Sequence, residues 1–248
     1  MELKHLKDVL YLTYDELARS YLWHDGVENL NNSVQVLSLD DLPKLQKRGY
    51  DFFIKQVEVG SVLIRNPFNQ RQFIDINESE DRIIREKISA MSMIAQKLGA
   101  RKIIGTAEFL EEQKLERTTE GGAKYKAVTL DVEYRKQQQE KCQKKYKLTR
   151  EFNGAFSAES YQEAIALLKK YNLTFDPEVR DLVGLRNPSE RNILGKQSVH
   201  MNLSREVNSS KEIAASLTVL GDVFSLGFST KESISTLKSM IFDTEIDF

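Results

Sequence analysis

The sequence predicts an α+β fold: one domain, 1–248, with a mixed, mostly antiparallel sheet of long β-hairpins packed against four or five helices. Three observations lead there. Arg101 to Phe152 contains no proline and reads as charged, antiparallel β-structure. Within it, Val128, Leu130, Val132 and Tyr134 recur at a spacing of two, with Thr129, Asp131, Glu133 and Arg135 between them. That alternation is the mark of a half-buried strand. Residues 78–98, in contrast, carry Ile84, Ile88, Met91, Ala95 and Leu98 at helical spacing. Helices and hairpins then follow one another without βαβ regularity, which argues against a doubly wound sheet.

Taken in order, residues 3–21 predict an amphipathic helix, with Leu3, Leu6, Leu10, Leu17 and Tyr21 at steps of three and four. Val34 to Leu39 predicts a short strand. Asp40 can cap a short helix over 41–48 that Gly49 ends. Phe52 to Ile64 and Gln72 to Ile76 predict strands joined by the turn Asn66-Pro67-Phe68-Asn69. Asn77 and Glu80 fit a capping box for the helix 78–98, and Gly99 fits the left-handed position that closes it. Gly121-Gly122 marks the reversal of a hairpin whose first arm holds Ile103, Ile104, Ala107 and Phe109. Residues 106–150 are expected to project as an arm. Ser157 or Ser160 starts the next helix, and Asp176-Pro177 starts another that ends near Arg186. Val199 to Val207 predicts a strand. Ser209 or Ser210 caps a helix ending at Gly221, and 223–248 predicts a terminal hairpin.

Composition narrows the function classes. A formal net charge of −1 names no nucleic-acid or membrane partner in bulk. The single cysteine, Cys142, allows no internal disulfide and suits a reducing, cytoplasmic setting. The N-terminal MELKHLKDVLYL carries charges through its apolar positions, unlike a signal peptide. No run approaches the roughly twenty apolar residues of a membrane-spanning helix.

Four groups of residues are candidate sites. Asp131 and Glu133 could hold Mg²⁺ from a strand, though a solvated face opposite the valines explains them as well. Cys142 with His24 or His200 could form a nucleophile and base, with nearby lysines lowering the thiol pKa. Between 135 and 150, seven positive residues face only Glu140: Arg135, Lys136, Lys141, Lys144, Lys145, Lys147 and Arg150. On the hairpin they would sit against an acidic arm of Glu108, Glu111, Glu112 and Glu116. Arg180, Arg186 and Arg191 surround Pro188 and could grip an anion, as arginine forks do.

No catalytic, metal or cofactor motif stands out: Gly121-Gly122 is followed by a strand and not by a phosphate-binding helix. The expectation is a soluble intracellular protein that binds or assembles through its long charged hairpin, with no enzyme chemistry and no cofactor. Its partner would be another protein or a second copy of itself. The competing expectation is a membrane-acting protein that oligomerises and inserts amphipathic hairpins into an anionic bilayer. Nucleic acid is a weaker partner, since only Tyr146 interleaves the basic run. An enzyme of unspecified reaction is the third.

Overall fold

The computed structural model describes residues 5–21, 30–117, 123–190, 195–220 and 224–248. The fold is α+β, but it is built on two five-stranded sheets rather than one. A layer of helices lies between them.

The first sheet holds β1 (Val9–Thr13), β2 (Val34–Ser38), β3 (Asp51–Phe53), β4 (Val62–Asn66) and β5 (Asn69–Asp75), in the order β2-β1-β4-β5-β3. Its first strand corrects the expected helix over 3–21. All five residues of β1 are buried, and only α1 (Asp15–Tyr21) is helical. Val9 and Tyr11 enter one core, while Leu10 and Leu12 enter a second one under α2 (Leu42–Lys47). A strand covered on both faces has no polar alternation to reveal its period. Asn66 and Asn69 pair across the anticipated turn.

The long helix α3 (Ile76–Lys97) starts two residues earlier than the sequence suggests. Asp75 caps it, its carboxylate accepting from the Asn77 amide at 2.8 Å. The whole expected stripe is buried, and Gly99 closes the helix at φ +87°. A Cβ there would also stand 2.7 Å from the Phe156 Cβ, so both backbone and neighbour require glycine. One face of α3 packs on β4 and β5. The same core takes in Ala107, Phe109, Met240 and Phe242 from the second sheet.

That second sheet runs β7-β6-β10-β9: β7 (Ala123–Ala127), β6 (Lys102–Arg117), β10 (Thr236–Asp247) and β9 (Lys196–Asn202), with β8 (Leu148–Glu151) also on β6. The expected arm over 106–150 does not stand free along β6, because β10 pairs with that strand from Lys102 to Lys114. Gly121-Gly122 lies outside the described residues, although β6 and β7 pair antiparallel on either side of it. The expected return strand over 128–134 is corrected. Residues 128–131 have no regular structure, and α4 (Val132–Lys145) follows. Asp131 caps α4, accepting from the Glu133 amide at 3.0 Å, and the run from Arg135 is rich in helix-forming Lys and Gln.

Downstream, Ser157 and Ser160 form a reciprocal capping box for α5 (Ala158–Lys170). Asp176 caps α6 (Pro177–Leu185) as its Asp-Pro pair suggests. The strand expected over 199–207 ends at Asn202, because α7 (Arg205–Ala214) begins before Ser209 and Ser210, which lie inside it. A short α8 (Ser216–Val219) follows. The expected terminal hairpin is instead α9 (Phe228–Ser235) and β10, which sits between β6 and β9. Phe228 is exposed, so the alternation of Phe224, Leu226 and Phe228 does not mark a strand.

Candidate functional site

The feature that sets the second sheet apart is the outer edge of β6. β7 pairs with it from Gln113 to Arg117, and β8 from Lys102 to Gly105. Between them, Thr106–Glu112 has no strand partner on that edge among the described residues. Helix α4 lies against this gap, and the Phe109 amide donates to Gln139 Oε1 at 2.7 Å. A side chain thus satisfies a backbone group that a strand would otherwise bond.

The attachment of α4 is slight. Cys142 is its one buried side chain, with Sγ 3.6 Å from Met240 Sδ. Tyr134 Oη lies 3.4 Å from Glu112 Oε2. Lys145 pairs with Asp81 of α3 at 3.1 Å, and buried Tyr146 closes the helix. Burial pushes the Cys142 thiol up, so the nearby lysines do not make it a thiolate. His200 is on β9, bonded to Asp243 on the sheet's far face, and His24 lies outside the described residues. No nucleophile–base pair forms between Cys142 and His200. Asp131 and Glu133 belong to the start of a helix, where Asp131 is a cap rather than a ligand.

The basic run therefore sits on α4 and β8, not on a hairpin arm. Lys141, Lys144 and Lys147 are exposed; among the described residues Lys144 makes only a long 3.8 Å pair with Glu140 on its own helix. Lys145 and Arg150 turn toward α3, Arg150 donating to Ser92 Oγ at 2.9 Å. The acids of the expected opposing arm separate: Glu112 is buried, while Glu111 is exposed. Directly paired residues share a sheet face. The pairs Lys102–Asp247, Ile104–Glu245, Thr106–Asp243 and Glu108–Ile241 thus form one outward face with Glu151 of β8. That face carries five acids, Glu108, Glu151, Asp243, Glu245 and Asp247, against Lys102 and Lys196.

The arginine group does not assemble as a loop. Arg180 is exposed and pairs with Asp181 at 3.6 Å. Arg186 is buried, with 7 % of its surface exposed. Its Nε and Nη2 donate to the Leu98 carbonyl at 3.1 and 2.9 Å, and it lies over the rings of Phe248 and Phe156. It closes the end of α3. Arg191 lies outside the described residues.

Two buried ion clusters escaped the sequence reading. Lys87 of α3 is 0 % exposed, and its Nζ meets Asp176 Oδ2 at 2.7 Å and Glu206 Oε1 at 2.8 Å. Arg205 reaches the same two carboxylates at 2.8 and 3.3 Å. Two turns earlier on α3, Glu80 meets Lys238 at 3.0 Å and Lys211 at 3.5 Å. Lys211 also donates to the Thr236 carbonyl at 2.8 Å. Burial alone would raise the Glu80 carboxyl, but Lys238 and Lys211 hold it below its ordinary value. Burial also pushes the Lys211 ammonium down. For Lys238 it is outweighed by Glu80 and Glu112, which raise it. The signal in the sequence was the interruption of an apolar helix stripe by Glu80 and Lys87. The clusters tie α3 to α6, α7 and β10, and every carboxylate in them faces a cation.

One open surface cleft is lined by paired charges. It measures about 450 Å³ and is bounded by Lys55, Glu78, Asp81, Arg82 and Arg85. Within it Lys55 pairs with Glu78 and Arg85 with Asp81. Among the described residues no group of three or more His, Cys, Asp or Glu side chains could hold a metal ion. No described helix is long and apolar enough to cross a membrane. No protein-family model, curated protein or solved structure matches the chain.

Proposed function

We propose that the chain acts by binding rather than catalysis, and that its contact surface is the solvent-facing basic side of α4 and the turn into β8. The observation that carries this is the economy of α4. Fourteen residues bury one side chain, while Lys136, Lys141, Lys144 and nearby Lys147 face solvent. The core does not require that charge, so it is free to serve recognition. The complementary surface is the acidic outer face of the second sheet. A second copy of the chain supplies it, and a basic edge meeting an acidic face is a head-to-tail contact that closes into a ring or continues as a filament. A reducing compartment suits the one cysteine, a buried free thiol.

Exposed ion pairs contribute at most about 1 kcal/mol each, so assembly should weaken steeply with salt. Sedimentation across a salt series tests it. Oligomers are expected at low salt, and the triple variant Lys141→Glu, Lys144→Glu, Lys147→Glu should stay monomeric with an unchanged melting temperature. A single monomer peak at every salt concentration for the unaltered chain would overturn the self-association reading. The membrane-acting reading draws on the exposed Ile104 and Leu110 of β6. Dye release from anionic vesicles would support it over soluble assembly.

A further inference from the structure

The gap on β6 and the chain that skirts it match in length. Thr106–Glu112 is seven residues long and flanked on the same edge by β7 and β8. Val128–Tyr134, the seven residues directly after β7, alternates apolar and polar side chains like a strand. Yet Val128–Asp131 has no regular structure, and Val132 opens α4 with its side chain 83 % exposed. Valine, threonine and tyrosine favour strands, whereas the following Arg135–Lys145 favours helix. The segment's local preference therefore conflicts with the state it occupies, and the docking that imposes that state buries one side chain of α4 and packs half-buried Leu130 against the core.

We propose that Thr106–Glu112 is a strand-acceptor edge whose occupant is Val128–Tyr134 of the same chain, which continues β7 when α4 undocks. Continuing the register of β7, in which Ala127 faces Gln113, sets Val128 opposite Glu112 and then meets the bulge of β6 between Phe109 and Glu111, which leaves Leu130 beside the bulged Leu110. Leu130, half-buried against the core while α4 is docked, then exchanges that contact for one beside exposed Leu110 at the edge. The backbone groups of the gap exchange one side-chain bond from Gln139 for a ladder. The thirteen residues 135–147 remain to close the loop back to β8, which begins opposite Gly105 beside the end of the added strand. Undocking also exposes Cys142, the sole cysteine, which makes it a reporter of the change. The proposal does not depend on what α4 binds.

Two substitutions push the equilibrium in opposite directions. Val132→Pro places proline at the first residue of α4, after Asp131 at φ −55° and ψ 141°, where the helix accepts it and a strand does not. Gln139→Pro breaks α4 and removes the bond to Phe109. The assay is the rate at which Cys142 reacts with an aromatic disulfide under native conditions, joined to hydrogen exchange of the backbone amides. Relative to the unaltered chain, Val132→Pro should slow labelling several-fold. Gln139→Pro should speed it at least tenfold while the amides of Val128–Tyr134 become protected. If Gln139→Pro does not fold, the milder Gln139→Gly should give the same pattern at smaller amplitude. Amides of 128–134 that exchange as free chain once the helix is broken would overturn the proposal, as would labelling indifferent to Val132→Pro. Protection confined to Thr106–Glu112, together with a dimer in sedimentation, would assign the edge to a second copy and overturn it too.

Discussion

Replacing Lys87 with methionine removes a buried charge while keeping a side chain of similar length, so the effect is electrostatic rather than a cavity. Its Nζ lies within 2.8 Å of both Asp176 and Glu206, and the Asp176 side chain is 2 % exposed. Deleting one member of a buried pair leaves the other charge desolvated, a loss of about 3–5 kcal/mol. Arg205 still touches both acids, but its side chain is 45 % exposed and its attraction is screened by water. The expected loss therefore lies at the lower end, about 3 kcal/mol. For a chain of this size that is a fall in melting temperature of about 6–12 °C. Adding Glu206→Gln should recover about 1 kcal/mol or more, since it removes one of the stranded charges. Thermal melting followed by circular dichroism reads both variants. A Lys87→Met protein melting within about 2 °C of the unaltered chain would show that the cluster holds nothing together, and would refute the reasoning.

Three further outcomes follow from the same packing. Met91→Asp puts an unpaired carboxylate where the side chain is wholly buried, and should abolish the cooperative melt. Arg186→Ala strands the Leu98 carbonyl and uncovers two rings, so it should cost about 2–4 kcal/mol in urea unfolding; an unchanged midpoint would return Arg186 to the surface role its sequence context suggests. The folded pKa of Glu80 lies below its ordinary 4.5, so its stabilisation is full above that value and is lost as pH falls through the lowered one. Melting temperatures measured from neutral pH down to about pH 3 should fall, and Glu80→Gln should flatten the acid limb; parallel curves would exclude Glu80 as a source.

The elements legible in the sequence are those whose signals are local. The stripe of α3, the box of Ser157 with Ser160, the Asp176-Pro177 start and the Gly99 stop each act within a few residues, so neighbours in the chain are enough to reveal them. Where tertiary structure decided, the local pattern was neutral or misleading. Val9–Leu12 is apolar throughout because both faces of β1 are covered, and a run without polar breaks fits helix or strand alike. Val128–Tyr134 alternates like a strand, but Asp131 caps a helix there and Gln139 reaches the edge that a strand would fill. Glu80 and Lys87 were visible as charges on an apolar stripe. Their partners Asp176, Glu206, Lys211 and Lys238 are remote in sequence, and only the packing of α6, α7 and β10 on α3 brings them within range. By itself the sequence determined the starts of α5 and α6, the stop of α3 and that the fold is α+β. The division into two sheets, the cover over β6 and the pairing of buried charges rest on contacts between distant segments, whose free energy no local window contains.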